Sequence, residues 1–392
     1  MTTIDTTTTD TTTTSGAPRG ASDRFDLKRN GVIDSDVHPN FVNGIRDLMP
    51  YMTETWRTRL GISGADWAKG MAAAQFTLPL DYLYINPAGA YREDAARPGM
   101  PPATDPEFVA QQLLDPHRIY RSVLLSGQCL GIGAMPDGMV AATIASAYNE
   151  WMCERWLQVD ERFRGAIVVA PQDPEAAVAE IDRMAGRDGV VAVFMPLGQI
   201  LMGEKHYWPI YEACARHELP IVTHPSGTEN VFAKAPQMAG TPTFYLEWHT
   251  ALGQIHQSNT LSMICHGVFE KFPNLTHVIA EGGFMWALEV MWKLDRDWKG
   301  LRNEVPWLTK PPSEYLLGNI RFTTQPFIEP HDPRHLAPLM EMLHADRVLM
   351  YSSDYPHWDF DNPDRALQGL SPELRRAIQV DTPRAVYGDR LD

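Results

Sequence analysis

Carboxylates and imidazoles recur in this chain just past short apolar runs. Asp36 and His38 flank a single valine. His224 follows the run 220–223, Glu281 the run 276–280, and Asp354 the run 347–352, with His357 three residues further on. His249 lies in Glu247-Trp248-His249. Carboxylate oxygens and imidazole nitrogens are the donors that hold Zn, Mn or Fe, and the same groups move protons. Taken singly, each has a plainer role. A histidine at a strand end is commonly a hydrogen-bonded structural residue. An Asp there often caps a helix, and Glu281 could cap one starting at Phe284. Jointly they point elsewhere. Alternation along a strand puts Asp36 and His38 on one face, and buried charges facing one cavity must be paired or metallated. A metal centre is the expectation.

The elements that must position these groups are eight apolar runs: 31–36, 122–126, 165–170, 190–195, 220–223, 276–280, 320–323 and 347–352. Continuous rather than alternating apolarity suits strands covered on both faces. Helical patterns lie between them, at 173–184, 205–217, 243–266 and 284–303. Strand–helix alternation gives a parallel sheet, and eight units close into an α/β (β/α)8 TIM barrel. An open doubly wound sheet is the rival, but no GxGxxG follows the first run. In a barrel the chemistry sits past the C-terminal ends of strands, where the candidates fall. Residues 25–392 are expected to form a single barrel domain. The stretch 40–120 after strand one is far longer than a βα connection and carries Trp56, Trp67, Tyr82, Tyr84 and Tyr91, so it reads as a lid-like insertion at the catalytic face. Residues 1–24, rich in Thr, cannot bury enough apolar surface to order and read as a disordered tail.

A net charge of −15 argues against nucleic acid or an anionic membrane as partner. Four cysteines without a CxxC pair fit a reduced, cytoplasmic setting. No apolar run is long enough to span a bilayer, and the first residues lack a secretory pattern. The expected partner is a small molecule held in a pocket walled by the insertion's aromatics. Arg321, on strand seven, is the candidate clamp for a substrate carboxylate.

The segments DVHP at 36–39, THP at 223–225, GVFEKFPNLTHVIAEGG at 267–283 and LMYSSDYPHWD at 349–359 resemble the amidohydrolase superfamily, in the amidohydrolase-2 branch of aminocarboxymuconate-semialdehyde decarboxylase and its relatives. The resemblance spans residues 31–390. It implies the barrel and metal ligands at Asp36, His38, His224 and Asp354, with Asp36 a variant of the usual strand-one ligand. The decarboxylases carry a proton-handling His before Gly-Gly on strand six; this chain has Glu281. Glu281 is then either a base or a bridge between two metals, with His249 and His357 as further ligands or catalytic groups. His256, His266 and His117 fall too far from the catalytic face.

EWHT at 247–250, EGG at 281–283, TTQP at 323–326 and SSDYPHWDFD at 352–361 are similar to a sub-branch that includes dinuclear Fe or Fe/Mn hydroxylases. That similarity implies an O2-dependent hydroxylase with two metals per chain, acting on a small carboxylate-bearing substrate. The alternatives are a hydrolase using Zn-activated water with Glu281 or His249 as base, a non-oxidative decarboxylase, and a non-catalytic paralogue. The chain is expected to assemble as a homo-oligomer, or as a hetero-oligomer with a paralogous subunit.

Overall fold

The computed structural model describes residues 26–60, 91–226 and 244–392. Its eight strands are β1 (Val32–Val37), β2 (Ile119–Leu124), β3 (Phe163–Val168), β4 (Val190–Phe194), β5 (Ile221–Thr223), β6 (His277–Ile279), β7 (Ile320–Thr323) and β8 (Leu349–Met350). They pair in parallel, in chain order from β1 to β8. β2, β3 and β4 are buried along their whole length, as continuous apolarity requires. The seam between β8 and β1 is closed by main-chain bonds: Ser35 N donates to Tyr351 O (3.0 Å), Asp354 N to Asp36 O (3.1 Å) and His38 N to Tyr355 O (2.8 Å). The chain is a (β/α)8 TIM barrel.

Helices cover the outside, and their starts are legible in local chemistry. Asp173 Oδ1 accepts from Ala176 N, and Pro174 occupies the first turn of Pro174–Met184. The helix expected over 205–217 begins as a 3-10 turn, Lys205–Tyr207, and becomes α-helical at Trp208–Arg216, where Pro209 fits the first turn. The helix expected over 243–266 is two, Tyr245–Thr250 and Gly253–Cys265. The cause is tertiary. A Cβ at Gly253 would lie 3.0 Å from Gly282 O and from the Trp286 ring, so the chain turns there to bring backbone against the strand-six turn.

The described parts of the insertion pack on the barrel. Phe41 meets Trp151 edge-on, and Gly44–Tyr51 lies against Gly138–Met152. Trp67, Tyr82 and Tyr84, and the tail 1–24, lie outside the described residues. At the opposite end, the turn Gly388–Leu391 fills the barrel floor, with Leu391 O accepting from both Arg121 and Arg164. Among the described residues no helix is long and apolar enough to cross a membrane.

Candidate metal centre

β1 carries Asp36, and His38 follows at its end; β5 delivers His224 one residue past its last; the turn after β8 delivers Asp354. One ligand atom from each of these four side chains lies within 4.8 Å of the others, and all four are buried. Asp354 adopts a left-handed backbone (φ 58°) held by its bond to Asp36 O. Glu281 does the same (φ 47°), with its N–H bonded to Thr323 Oγ1 at 3.1 Å. Non-glycine residues in that region store strain of about 1–3 kcal/mol and cluster at binding sites. Asp34 Oδ1 accepts from Ser353 N (2.9 Å) and Asp36 N (3.3 Å), tying β1 to the turn that carries Asp354.

His38 tests whether these residues fit a cation. Its Nδ1 lies 3.1 Å from Leu125 O, a group that only accepts, so Nδ1 carries the proton. Burial lowers His38 to about 4, so the ring is neutral. Nε2 therefore presents a lone pair, yet it faces Asp354 Oδ1 at 2.8 Å and Asp36 Oδ1 at 3.2 Å. Three lone-pair donors that close repel one another unless a cation lies among them. His224 is placed in a similar way, with a carbonyl on one ring nitrogen and carboxylates on the other. Its Nδ1 bonds Pro225 O at 2.6 Å, and Nε2 faces Glu281 Oε2 at 3.0 Å and Asp36 Oδ2 at 3.6 Å. Burial disfavours its charge, but Asp36 and Glu281 push it up to about 10. Both oxygens of Asp36, Asp354 Oδ2 and His224 Nε2 are buried without a hydrogen-bond partner. Burial, joined by the carboxylates of Asp354 and Glu281, drives Asp36 well above the usual carboxylate range, against the pull of His224. These donors fit a divalent metal, and their carbonyl partners set the ring tautomers, as outer partners of metal ligands do.

The remaining candidates ring this cluster. His357 Nδ1 bonds Asp354 Oδ1 at 2.7 Å. Burial opposes its charge, but Asp354 raises it to about 9. Burial likewise opposes ionisation of Asp354, yet the charge and hydrogen bond of His357 hold it well below the usual carboxylate range. His249 Nε2 lies 3.7 Å from Glu281 Oε1. Asp359, which the sequence reading did not single out, is nearer still: its Oδ2 is 3.2 Å from His249 Nε2 and raises that histidine above its ordinary value. Its only signal was position, five residues after Asp354. Tyr245, Trp248 and Trp358 place their rings 5.3, 6.2 and 5.9 Å from the His249 ring.

Arg321 is not brought to the centre. Its guanidinium bonds Leu317 O (3.3 Å) and Ile320 O (2.8 Å), at the end of the preceding helix and on the floor side of the barrel. The clamp expected there is corrected accordingly. His256 is buried against the Gly282 turn, and His117 pairs with Asp364 at the surface.

Fold and donors together define a parallel barrel with a buried metal-type centre at the C-terminal ends of its strands. The amidohydrolase family model matches residues 33–388, and the chain belongs to that family. It is 26% identical over 290 residues to the gamma-resorcylate decarboxylase of Rhodococcus jostii (strain RHA1), covering 67% of this chain and 80% of that protein. It is 27% identical over 279 residues to the 2-keto-4-carboxy-3-hexenedioate hydratase of Sphingobium sp. (strain NBRC 103272 / SYK-6), covering 65% and 74%. The dihydroxybenzoic acid decarboxylase of Polaromonas sp. JS666, solved with bound manganese and the inhibitor 2-nitroresorcinol, superimposes with a TM-score of 0.61 at 19% identity, covering 91% of this chain and 97% of that one. At that identity the likeness shows the fold. These comparisons overturn the O2-dependent hydroxylase expected from the sub-branch similarity. The curated relatives named here carry decarboxylase and hydratase names, and neither supports the oxygenase reading.

Proposed function

We propose that the chain is a metal-dependent, non-oxidative decarboxylase of a small carboxylate-bearing substrate, with Mn2+ or Zn2+ held by Asp36, His38, His224 and Asp354. The observation that carries this reading is the neutral His38 whose Nε2 lone pair faces two carboxylates. The names of the decarboxylase relatives supply the reaction class. A bound dication supplies the Lewis-acid charge that holds an anionic substrate group.

The chain's own residues then do two things. Leu125 O and Pro225 O fix the rings of His38 and His224. The proton that replaces CO2 on carbon comes from the imidazoles beside the centre. Asp354 pushes His357 up to about 9, so it is protonated at neutral pH, and Asp359 raises His249 above its ordinary value. His249 brings an imidazole beside Glu281, and the Glu281–His249 pair moves the proton there.

One observation favours a second cation. His249 Nε2 and Asp359 Oδ2 are both buried without a satisfactory hydrogen bond although 3.2 Å apart, with Glu281 Oε1 beside them. Metal analysis of the purified protein separates one equivalent from two. The reaction test is CO2 release from 2,6-dihydroxybenzoate by Mn2+-loaded protein under strict anaerobiosis. Undiminished CO2 release is the expected result; turnover that consumes O2 or yields a hydroxylated product would overturn the reading.

A further inference from the structure

The insertion after β1 reaches the metal-type centre at one described point. Tyr91 forms an isolated antiparallel bridge with His357, and Arg92 N donates to Pro356 O at 3.0 Å. The Tyr91 ring lies parallel to the His357 ring, with 8° between planes and 5.4 Å between centroids. His38 packs on the same imidazole at 4.8 Å. Arg92 reinforces the attachment. Its guanidinium sits over Phe360 at 4.5 Å and Tyr355 at 5.7 Å, and Asp94 holds it through bonds of 2.6 and 2.7 Å. Stacked rings and a cation over an aromatic face each add attraction beyond simple burial.

His357 is the side chain that orients Asp354. Its Nδ1 takes Asp354 Oδ1 at 2.7 Å, the oxygen that faces His38 Nε2 at 2.8 Å, and leaves Oδ2 buried and unpartnered. Partners that orient a ligating carboxylate typically change metal affinity 10–100-fold when removed. We propose that Tyr91 is a positioning residue for the metal centre: its ring fixes His357 against Asp354, so docking of the 91–95 segment and cation binding are thermodynamically linked. The linkage is reciprocal. What the docked segment adds to cation affinity, the cation returns as protection of the segment. The insertion is then part of the cation site's architecture and not only a wall of the pocket.

The inference rests on the four-residue cation site, and the probe is Mn2+ alone, added to chelator-stripped full-length protein. By titration calorimetry, Tyr91→Ala should bind Mn2+ about tenfold more weakly than the wild type. Tyr91→Phe, which keeps the ring, should stay within about twofold. In the wild type, Mn2+ should slow deuterium exchange at residues 91–95 and 355–360. That second measurement needs no variant, so a Tyr91→Ala protein that fails to fold leaves the idea testable. Wild-type affinity in folded Tyr91→Ala, or exchange at 91–95 that ignores Mn2+, would overturn the linkage alone. Failure of the wild type to bind Mn2+ would overturn the cation site itself, and the linkage with it.

Discussion

The two ends of this barrel both bury charge, and they treat it in opposite ways. At the floor, Arg121, Arg164 and Arg390 bond main-chain carbonyls: Arg121 reaches Tyr120 O and Leu391 O, Arg164 reaches Glu161 O, Phe163 O, Arg390 O and Leu391 O, and Arg390 reaches Ala185 O, Val190 O and His217 O. Ala185 and His217 end helices, where the macrodipole is negative, so a cation belongs there. No nitrogen of these three arginines is buried without a partner. At the other end, Asp36, Asp354 and His224 keep buried polar atoms without partners. Charge that is fully satisfied by the chain is structural, whereas charge left unsatisfied at a cost of several kcal/mol awaits a ligand. The contrast separates scaffold from site without reference to any relative.

Substitutions should break the two ends differently. His224→Ala or Asp354→Ala should each lose the metal and lower turnover by more than about 100-fold, because a ligand and its bond are removed directly. Full metal content in either variant would remove the centre from the argument. Arg121→Ala should do the reverse. It removes the bond to Tyr120 O and one of the two donors on Leu391 O, which keeps Arg164, and should cost about 1–3 kcal/mol in urea unfolding, with metal content unchanged. A loss of metal in that variant would show that the ends are not independent.

A third prediction sits between the ends, on the barrel's outer wall. His277 is buried with Nε2 against Thr223 Oγ1 at 2.9 Å, and burial lowers it to about 3. His256 is also pushed well below its ordinary value by burial. Both are neutral when folded and take up a proton below about pH 6.5 when unfolded. The unfolded state then binds more protons, so stability rises with pH there and is lost on acidification from 6.5 downward. Each group should contribute a slope approaching 1.4 kcal/mol per pH unit, or about 2 kcal/mol between pH 6.5 and 5. His277→Gln, which can keep a bond to Thr223, should remove its share of the slope. An unchanged slope would mean that His277 titrates alike in both states.

Much of this was legible locally. Strands buried on both faces announce themselves as continuous apolar runs, and the residues just past Val37, Thr223 and Ile279 inherit their place from the strand. That is why Asp36, His38, His224 and Glu281 were found, and why Asp354 followed from the run before it. What escaped depended on contacts distant in sequence. The break at 251–252 exists because Gly253 must approach Gly282, and nothing within 243–266 announces that neighbour. Asp359 joins His249 only because the turn after β8 folds toward the helix after β5. The donor count misled in another way. A list of carboxylates and imidazoles constrains which cations can bind, but not which bond of the substrate breaks, so the hydroxylase reading had no support in spacing.

Arg321 gives the smallest effect and the sharpest check of the contrast between ends. Its position on β7 admitted two readings, a clamp for a substrate carboxylate or a structural ion pair, because alternation does not say where along a four-residue strand a long side chain will go. The structure sends it to the carbonyls of Leu317 and Ile320, and burial with the nearby Arg347 lowers its pKa. It therefore belongs with the floor arginines. Arg321→Met keeps much of the aliphatic bulk and removes the donors. It should cost about 1 kcal/mol in stability, the net worth of an ordinary hydrogen bond. Mn2+ affinity and the KM for any substrate that is turned over should stay at wild-type values. A KM raised tenfold with stability intact would return Arg321 to the substrate and show that satisfied charge is not a reliable mark of scaffold in this barrel.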